Sequence, residues 1–368
     1  MRIYRTYYWL AAVALLFSLG CATRLTRPGT SPGDIDAERR EQLKLALCLL
    51  LDRQIRTWRV ATQLKTGGVE LCGEDVQYIF GFFVLDRETF RDDYRKVAPD
   101  IGLESGLRVW EVLADFQDLT TRLKKGDKIV EVDGKPISSF ESFAKAMEKP
   151  WKTGRLSIKL IRRSGEEVSF SLEGKPACDY RAAVIERDLI NAYADGKNVF
   201  VTTGLIRFAQ SDDELAIVLG HEFAHNALGH VRQMQAQSMA GMLIDLAILV
   251  FGGVDTGGLF SQMGRLVYSK DFEADADYMG LYFTARAGYD IQIAPSLWRR
   301  MAVEHPGSIK GTWLATHPST PERAVTLKEI IEEIEKKRAE GLALLPEREE
   351  KTPSSKPTED ELEPLFRD

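Results

Sequence analysis

The sequence predicts an α+β chain: a mainly helical unit with a small edge-strand sheet, carrying an inserted β-barrel-like module. Three observations predict it. Leu43, Leu47, Leu50, Leu51, Ile55 and Trp58 recur at helical spacing, so a long amphipathic helix runs from Asp36 to about Lys65. Between about residues 95 and 175 the texture changes to short alternating strands. Ser211-Asp212-Asp213-Glu214 has the capping-box form and opens a further helix, apolar through Leu215, Ile217, Val218 and Leu219, that leads into His221.

Composition bounds what such a chain can do. At 368 residues and 44% apolar it can bury more than one core. A formal net charge of -6 gives no electrostatic reason for a nucleic-acid partner, which needs clustered positive charge.

Residues 1–21 read as a signal peptide. Arg2 and Arg5 precede an apolar run, Tyr8 to Leu19, that is shorter than the ~20 residues a membrane-spanning helix needs. The run ends in Ser18-Leu19-Gly20-Cys21, which resembles the lipobox of bacterial lipoproteins. That resemblance implies lipidation of Cys21, a membrane anchor through it and, with Ala22 next, the periplasmic face of the outer membrane; Ser18 stands where the pattern wants Leu, and the alternative is an uncleaved inner-membrane anchor or a soluble periplasmic protein. Residues 22–35, with Pro28, Gly29, Pro32 and Gly33, read as a tether. An exported chain meets an oxidising compartment, where spacing alone does not decide which two of Cys48, Cys72 and Cys178 pair. Cys72 and Cys178 flank the inserted module, so a bridge there clamps its ends, whereas Cys48 lies on the apolar face of the first helix. Buried free thiols are the alternative.

Residues 36–94 are expected to form a helical segment packed on the main unit, with residues 95–176 as the inserted module. In the module, Lys128–Val132 reads as a short strand, and Asp133-Gly134 after it favours a tight turn. Ser138-Ser139-Phe140-Glu141 caps a helix bearing Phe143 and Met147. Leu156, Ile158 and Leu160, the turn at Ser164-Gly165, and Val168, Phe170 and Leu172 then read as a hairpin. The string from Leu123 through Lys124-Lys125-Gly126-Asp127 to Pro136-Ile137 resembles the PDZ domains of bacterial envelope proteases. It implies a module that takes chain ends or extended peptides by strand addition, or else one that serves as spacer or lid. Gly106-Leu107-Arg108-Val109 is the weak candidate for its carboxylate-binding loop.

Residues 177–340 carry the chemistry. His221 and His225 are four apart on one helix, so both imidazoles project from one face and can share an ion. Glu222, offset around the helix, can reach water at the metal without coordinating it, as a general base for amide hydrolysis must. A third histidine six residues after the second, the metzincin pattern, is absent: residue 231 is Val. His230, five after His225, points elsewhere on a continuous helix and reads as structural. A carboxylate on a second helix then completes the set, and Glu273 and Asp277 share a face there.

His221-Glu222-Phe223-Ala224-His225, Tyr268-Ser269-Lys270 leading into Glu273 and Asp277, and Thr316-His317-Pro318 with Arg323 together resemble the gluzincins that include HtpX-like peptidases, CAAX prenyl endopeptidases and BepA-like proteins. The resemblance covers about residues 180–340. It implies one Zn²⁺ per chain on His221, His225 and Glu273, with Asp277 orienting a ligand histidine and protein or peptide substrates. Lys270 stands where the family has Arg. His317 is either an oxyanion donor that can close over the metal or a loop histidine, and Arg323 is expected to hold that loop through a carboxylate. Asn198–Thr202 is expected as the edge strand that aligns substrate. Met242–Phe251 is too short to span a membrane, and residues 341–368 read as a charged, disordered tail. The functional reading is a zinc endopeptidase acting on misfolded envelope proteins; its rival is a non-proteolytic binding or assembly factor, for which an intact Glu222 has no use.

Overall fold

A computed structural model describes residues 29–116, 119–236, 270–304 and 321–347. Cys21, Met242–Phe251, His305 and His317 lie outside the described residues, as does 348–368.

The first helix, α1 (Pro32–Gly67), starts earlier than the periodicity indicates. Ser31 accepts from the Asp34 amide at 3.1 Å while Asp34 returns to the Ser31 amide, a capping box that converts the end of the expected tether into helix. Its middle packs Leu47, Leu50, Leu51 and Ile55 against Leu85, Val97 and Trp110, with α2 (Asp92–Val97) alongside. Its C-terminal half buries Val60, Ala61 and Leu64 in the main core, so α1 joins two cores.

The β-rich module is a sheet of antiparallel strands in the order β2 (Phe82–Asp86), β3 (Leu107–Val112), β4 (Lys128–Val132), β6 (Arg155–Ile161) and β7 (Glu167–Glu173), with short β5 (Lys135–Pro136) beside β4. The path is open, with no closed barrel among the described residues. Asp133 and Gly134 both take positive φ in the expected turn. A single turn, α3 (Leu119–Arg122), and α4 (Phe140–Thr153) cover one face, burying Leu119, Phe143 and Met147 against Val109, Ile129 and Ile158. The capping box of α4 joins Ser139 to Ser142, one residue along from the expected pair. The sheet also begins before residue 95: Phe82–Asp86 is its edge strand, and it lacks the apolar–polar alternation by which the other strands are recognised. Gly106-Leu107-Arg108-Val109 runs into β3, an inner strand, and so is no open loop facing a peptide.

β1 (Val76–Ile79) and β8 (Lys175–Cys178) pair antiparallel where the chain enters and leaves the module, and a disulfide joins Cys72 to Cys178 at this neck; Cys48 is free.

The third sheet corrects an expectation. β11 (Asn198–Thr202) lies between β10 (Ala192–Ala194), antiparallel to it, and β9 (Arg181–Ile185), parallel to it. The β-rich composition of Asn198–Thr202 reflects an inner position, with Val199 and Val201 fully buried, and the open edge on this side belongs to β10. After α5 (Thr203–Phe208) come the helices that form the site: α6 (Asp212–Ala227), α7 (Lys270–Arg286), α8 (Ala294–Glu304) and α9 (Pro321–Ala339). The expected tail does not begin at 341: the Glu347 amide donates to Tyr278 Oη at 3.0 Å and Lys337 donates to the Leu345 carbonyl, fixing 342–347 on α7 and α9.

Candidate metal centre

Two contacts place α6. Ser211 accepts from the Glu214 amide at 3.2 Å, capping its start. Arg56 of α1 donates to Asp212 at 2.7 Å and to the carbonyls of Ile206, Ala209 and Ser211, so the first helix clasps the N-terminus of the helix that carries the histidines.

The crossing of α6 and α7 depends on two glycines. A Cβ on Gly220 would lie 2.7 Å from the Gly280 carbonyl oxygen, and one on Gly280 would lie 2.8 Å from His221 Cα. Backbones this close leave no room for a side chain. Asp277, three residues before Gly280, is thereby brought beside His221.

The His221 and His225 Nε2 atoms stand 3.1 Å apart. Glu273 reaches both, at 3.4 Å from His225 Nε2 and 3.6 Å from His221 Nε2. Tetrahedral coordination at about 2.0–2.1 Å puts neighbouring donors roughly 3.3–3.4 Å apart; the two nitrogens stand near that spacing, and Glu273 offers one oxygen to each histidine, Oε1 to His225 and Oε2 to His221, so that one atom from each of the three residues lies within 4.8 Å of the others. The donor set, two imidazoles and a carboxylate, is also the one that suits zinc. Glu222, the neighbour of His221 in the chain, is 2% exposed.

Each histidine has an outer partner. His221 Nδ1 lies 3.0 Å from Asp277 Oδ1, and Arg323 of α9 grips the same carboxylate at two points, Nε to Oδ2 at 2.5 Å and Nη2 to Oδ1 at 2.7 Å. Arg323 Nη1 is 3.3 Å from Glu273, and the guanidinium lies 3.7 Å from the centre of the Trp298 ring. Burial alone would raise the Asp277 carboxyl; Arg323 and His221 outweigh it and hold it below the usual carboxylate range. For His221, burial and then Arg323 oppose a proton, yet Asp277 and Glu273 prevail and hold the imidazole up to about 9.

His225 Nδ1 meets His230 Nδ1 at 3.0 Å. The expectation that His230 points away requires a continuous helix, and the helix is not continuous. Here α6 stops at Ala227, Gly229 turns left-handed with φ 69°, and a new helical run over 230–236 starts with His230 folded back. Burial pushes its imidazole down to about 4, so it is neutral and can accept the His225 proton, and its ring stacks on Phe272 at 4.3 Å. Sequence reasoning thus missed His230 as a partner, along with Gly220, Gly280 and Trp298; a glycine in a helical pattern was the one available sign of the close crossing. The structure brings His221, His225, Glu222, Glu273, Asp277 and Arg323 together, and the carboxylate that Arg323 holds is Asp277.

Asn226, 1% exposed, links the site to the small sheet: its Oδ1 accepts from the Gly196 amide at 2.8 Å in the turn between β10 and β11. The small sheet therefore packs against the end of the helix that carries the histidines.

Comparison with known proteins places this geometry. Residues 157–331 match the model of peptidase family M48. The mitochondrial metalloendopeptidase OMA1 of Arabidopsis thaliana is 31% identical over 150 residues, 40% of this chain and 31% of that protein. The human mitochondrial metalloendopeptidase OMA1 is 30% identical, over 40% of this chain and 32% of that one. A putative beta-barrel assembly-enhancing protease of Vibrio cholerae is 33% identical, over 38% and 32%. The chain thus spans about a third of the length of these relatives. Among solved structures, the HtrA-type protease AlgW with decapeptide aligns at 22% identity over 27% of this chain and 30% of that one, with a TM-score of 0.21 that carries no argument. Residues 157–331 are similar to peptidase family M48, and the donors His221, His225 and Glu273 with Glu222 all lie within that span.

Proposed function

We propose that this chain is a zinc-dependent endopeptidase that hydrolyses peptide bonds of unfolded protein chains. The observation that carries the reading is the convergence of one donor atom each from His221, His225 and Glu273 within 4.8 Å of one another, with Glu222 beside His221 on a helix buried from Glu214 to Asn226.

These three side chains would hold the metal. Bound zinc supplies Lewis acidity, which polarises the scissile carbonyl and acidifies water. Glu222 takes a proton from the attacking water as its oxygen bonds to the carbonyl carbon, then passes that proton to the amine as the C–N bond breaks. Asp277 accepts the Nδ1 proton of His221, which leaves Nε2 as the donor atom; His230 does the same for His225. Substrate extends along the open edge of β10, where backbone pairing aligns it without demanding a sequence.

The sheet of β2 to β7 with α4 serves as a PDZ-like module that presents substrate, a reading supported by the resemblance around Leu123–Ile137 and by the free edge of β2. Cys21, lipidated, holds the protein at the periplasmic face of the outer membrane; among the described residues no helix is long and apolar enough to cross a membrane. The setting fits a role in clearing misfolded envelope proteins, in keeping with the relatives named as assembly-enhancing proteases.

Casein cleavage tests the activity. Wild type should degrade it and chelator-treated protein should not; a wild type as inert as the chelated form, while still binding envelope proteins, would establish the non-proteolytic reading instead. Mass spectrometry of the mature N-terminus decides the anchor, since an unmodified Cys21 rules it out.

A further inference from the structure

Trp298 of α8 is 4% exposed, and its indole Nε1 meets no hydrogen-bond acceptor among the described residues. A tryptophan inside a protein usually finds a partner for that N–H, because a buried donor without one costs stability. Phenylalanine would fill much of the same space with no donor to strand. What accounts for the indole is therefore what its ring touches. The Arg323 guanidinium carbon lies 3.7 Å from the ring centre, and the His221 imidazole packs edge to face with it, 5.4 Å between ring centres and 63° between planes. Of the aromatic side chains, tryptophan attracts a cation over its face most strongly, and more so away from water.

The ring sits on a fixed platform. Two residues along α8, Arg300 donates to both Glu214 oxygens, at 2.5 Å from Nη1 and 3.2 Å from Nη2, and to the Phe208 carbonyl at 3.0 Å. Glu214 is buried in the first turn of α6 and also accepts from the Gln210 amide at 2.7 Å. Leu297, fully buried beside Trp298, seats the same turn of α8 in the main core. The indole is thus held to the helix that carries the histidines, while Arg323 comes from α9.

Arg323 has two carboxylates within reach. Its Nε and Nη2 both go to Asp277, while Nη1 stands 3.3 Å from Glu273, one of the three donors. A guanidinium is a planar fork, so the plane in which it lies decides which carboxylate receives two bonds. Turned onto Glu273 it would compete with a metal for that side chain and leave Asp277 without its partner. Turned onto Asp277 it orients His221. A ring packed on the guanidinium face fixes the plane and takes up none of the in-plane donors. We propose that Trp298 is a positioning residue: by stacking on Arg323 it commits the fork to Asp277 and leaves Glu273 to the metal. This role rests on the metal reading of His221, His225 and Glu273, to which Trp298 itself supplies no donor.

Co²⁺ titrated into the metal-free full chain tests it, because the visible spectrum reports both affinity and the geometry of the donors. Trp298→Leu should weaken Co²⁺ binding roughly 10- to 100-fold, the usual loss when an outer partner of a metal ligand is disturbed, and should change the absorption bands. Trp298→Phe, smaller but still aromatic, should lose only a few-fold and keep the bands. Leu297→Ala is the control for packing alone: it should lower the melting temperature and leave the affinity within a few-fold of wild type. With Arg323→Gln already in place, Trp298→Leu should add little, since the two side chains act as a unit. Unchanged affinity and bands in Trp298→Leu, an equal loss in Leu297→Ala, or additive losses in the double variant would overturn the proposal. A wild type that takes up no Co²⁺ sinks the metal reading and this role with it, whereas uptake that Trp298→Leu leaves unchanged sinks this role alone.

Discussion

Arg323 and Asp277 meet in a two-point contact that is sealed from water, and the Asp277 oxygen they share, Oδ1, is also the one facing His221 Nδ1. The arginine thus fixes the orientation of a donor it does not itself supply. Arg323→Lys keeps the charge but not the fork, and should lower zinc affinity roughly 10- to 100-fold in competition with a chromophoric chelator. Asp277→Asn leaves Arg323 buried without its carboxylate and should cost about 3–5 kcal/mol in urea unfolding.

His230 should behave likewise toward His225. His230→Gln keeps an acceptor and should hold zinc within a few-fold of wild type, whereas His230→Phe should lose at least about tenfold. Equal affinities in the two variants would mean that the 3.0 Å contact does not orient the ligand.

Gly280→Ala should disrupt the site without touching a donor. Its Cβ would lie 2.8 Å from His221 Cα, so α6 and α7 must part, and both metal content and thermal stability should fall together.

These residues mark how far the sequence could be read. The His221/His225 pair and the shared face of Glu273 and Asp277 were legible from helical spacing, the roles of those two carboxylates came from the family resemblance, and the alternation of β6 and β7 was equally plain. What was hidden depends on where the chain bends or crosses. His230 becomes a partner only because Gly229 breaks the helix, β11 is an inner strand only because β9, just upstream, pairs with it in parallel while β10 pairs antiparallel on its other side, and β2 shows no alternation to announce it.

The neck disulfide closes a sequence separation of 106 residues, so reducing it, or Cys72→Ala with Cys178→Ala, should destabilise the chain by about 2–5 kcal/mol in urea unfolding. Cys48→Ala, at the free thiol, should change little.

Lys65 predicts a dependence on alkaline pH. Its folded value, about 8, is below the ordinary 10.5, so between these the unfolded chain binds more protons and stability rises with pH. The cost of the buried charge, at most roughly 3 kcal/mol, is present below pH 8 and relieved by about pH 10.5. Lys65→Met should therefore be more stable than wild type at pH 7, with the gap closing as pH rises; a gap independent of pH would mean the ammonium is not buried as described.

The most direct test of the account is to measure zinc per chain and casein cleavage on the same preparations of wild type, Glu222→Gln and Glu273→Gln. Wild type and Glu222→Gln should each hold one zinc, with cleavage in the variant reduced at least about a hundredfold as expected for a lost general base, and zinc itself should be depleted in Glu273→Gln. A Glu222→Gln protein that loses its zinc, or keeps both its zinc and its cleavage, would contradict the division of labour between the donors and the base.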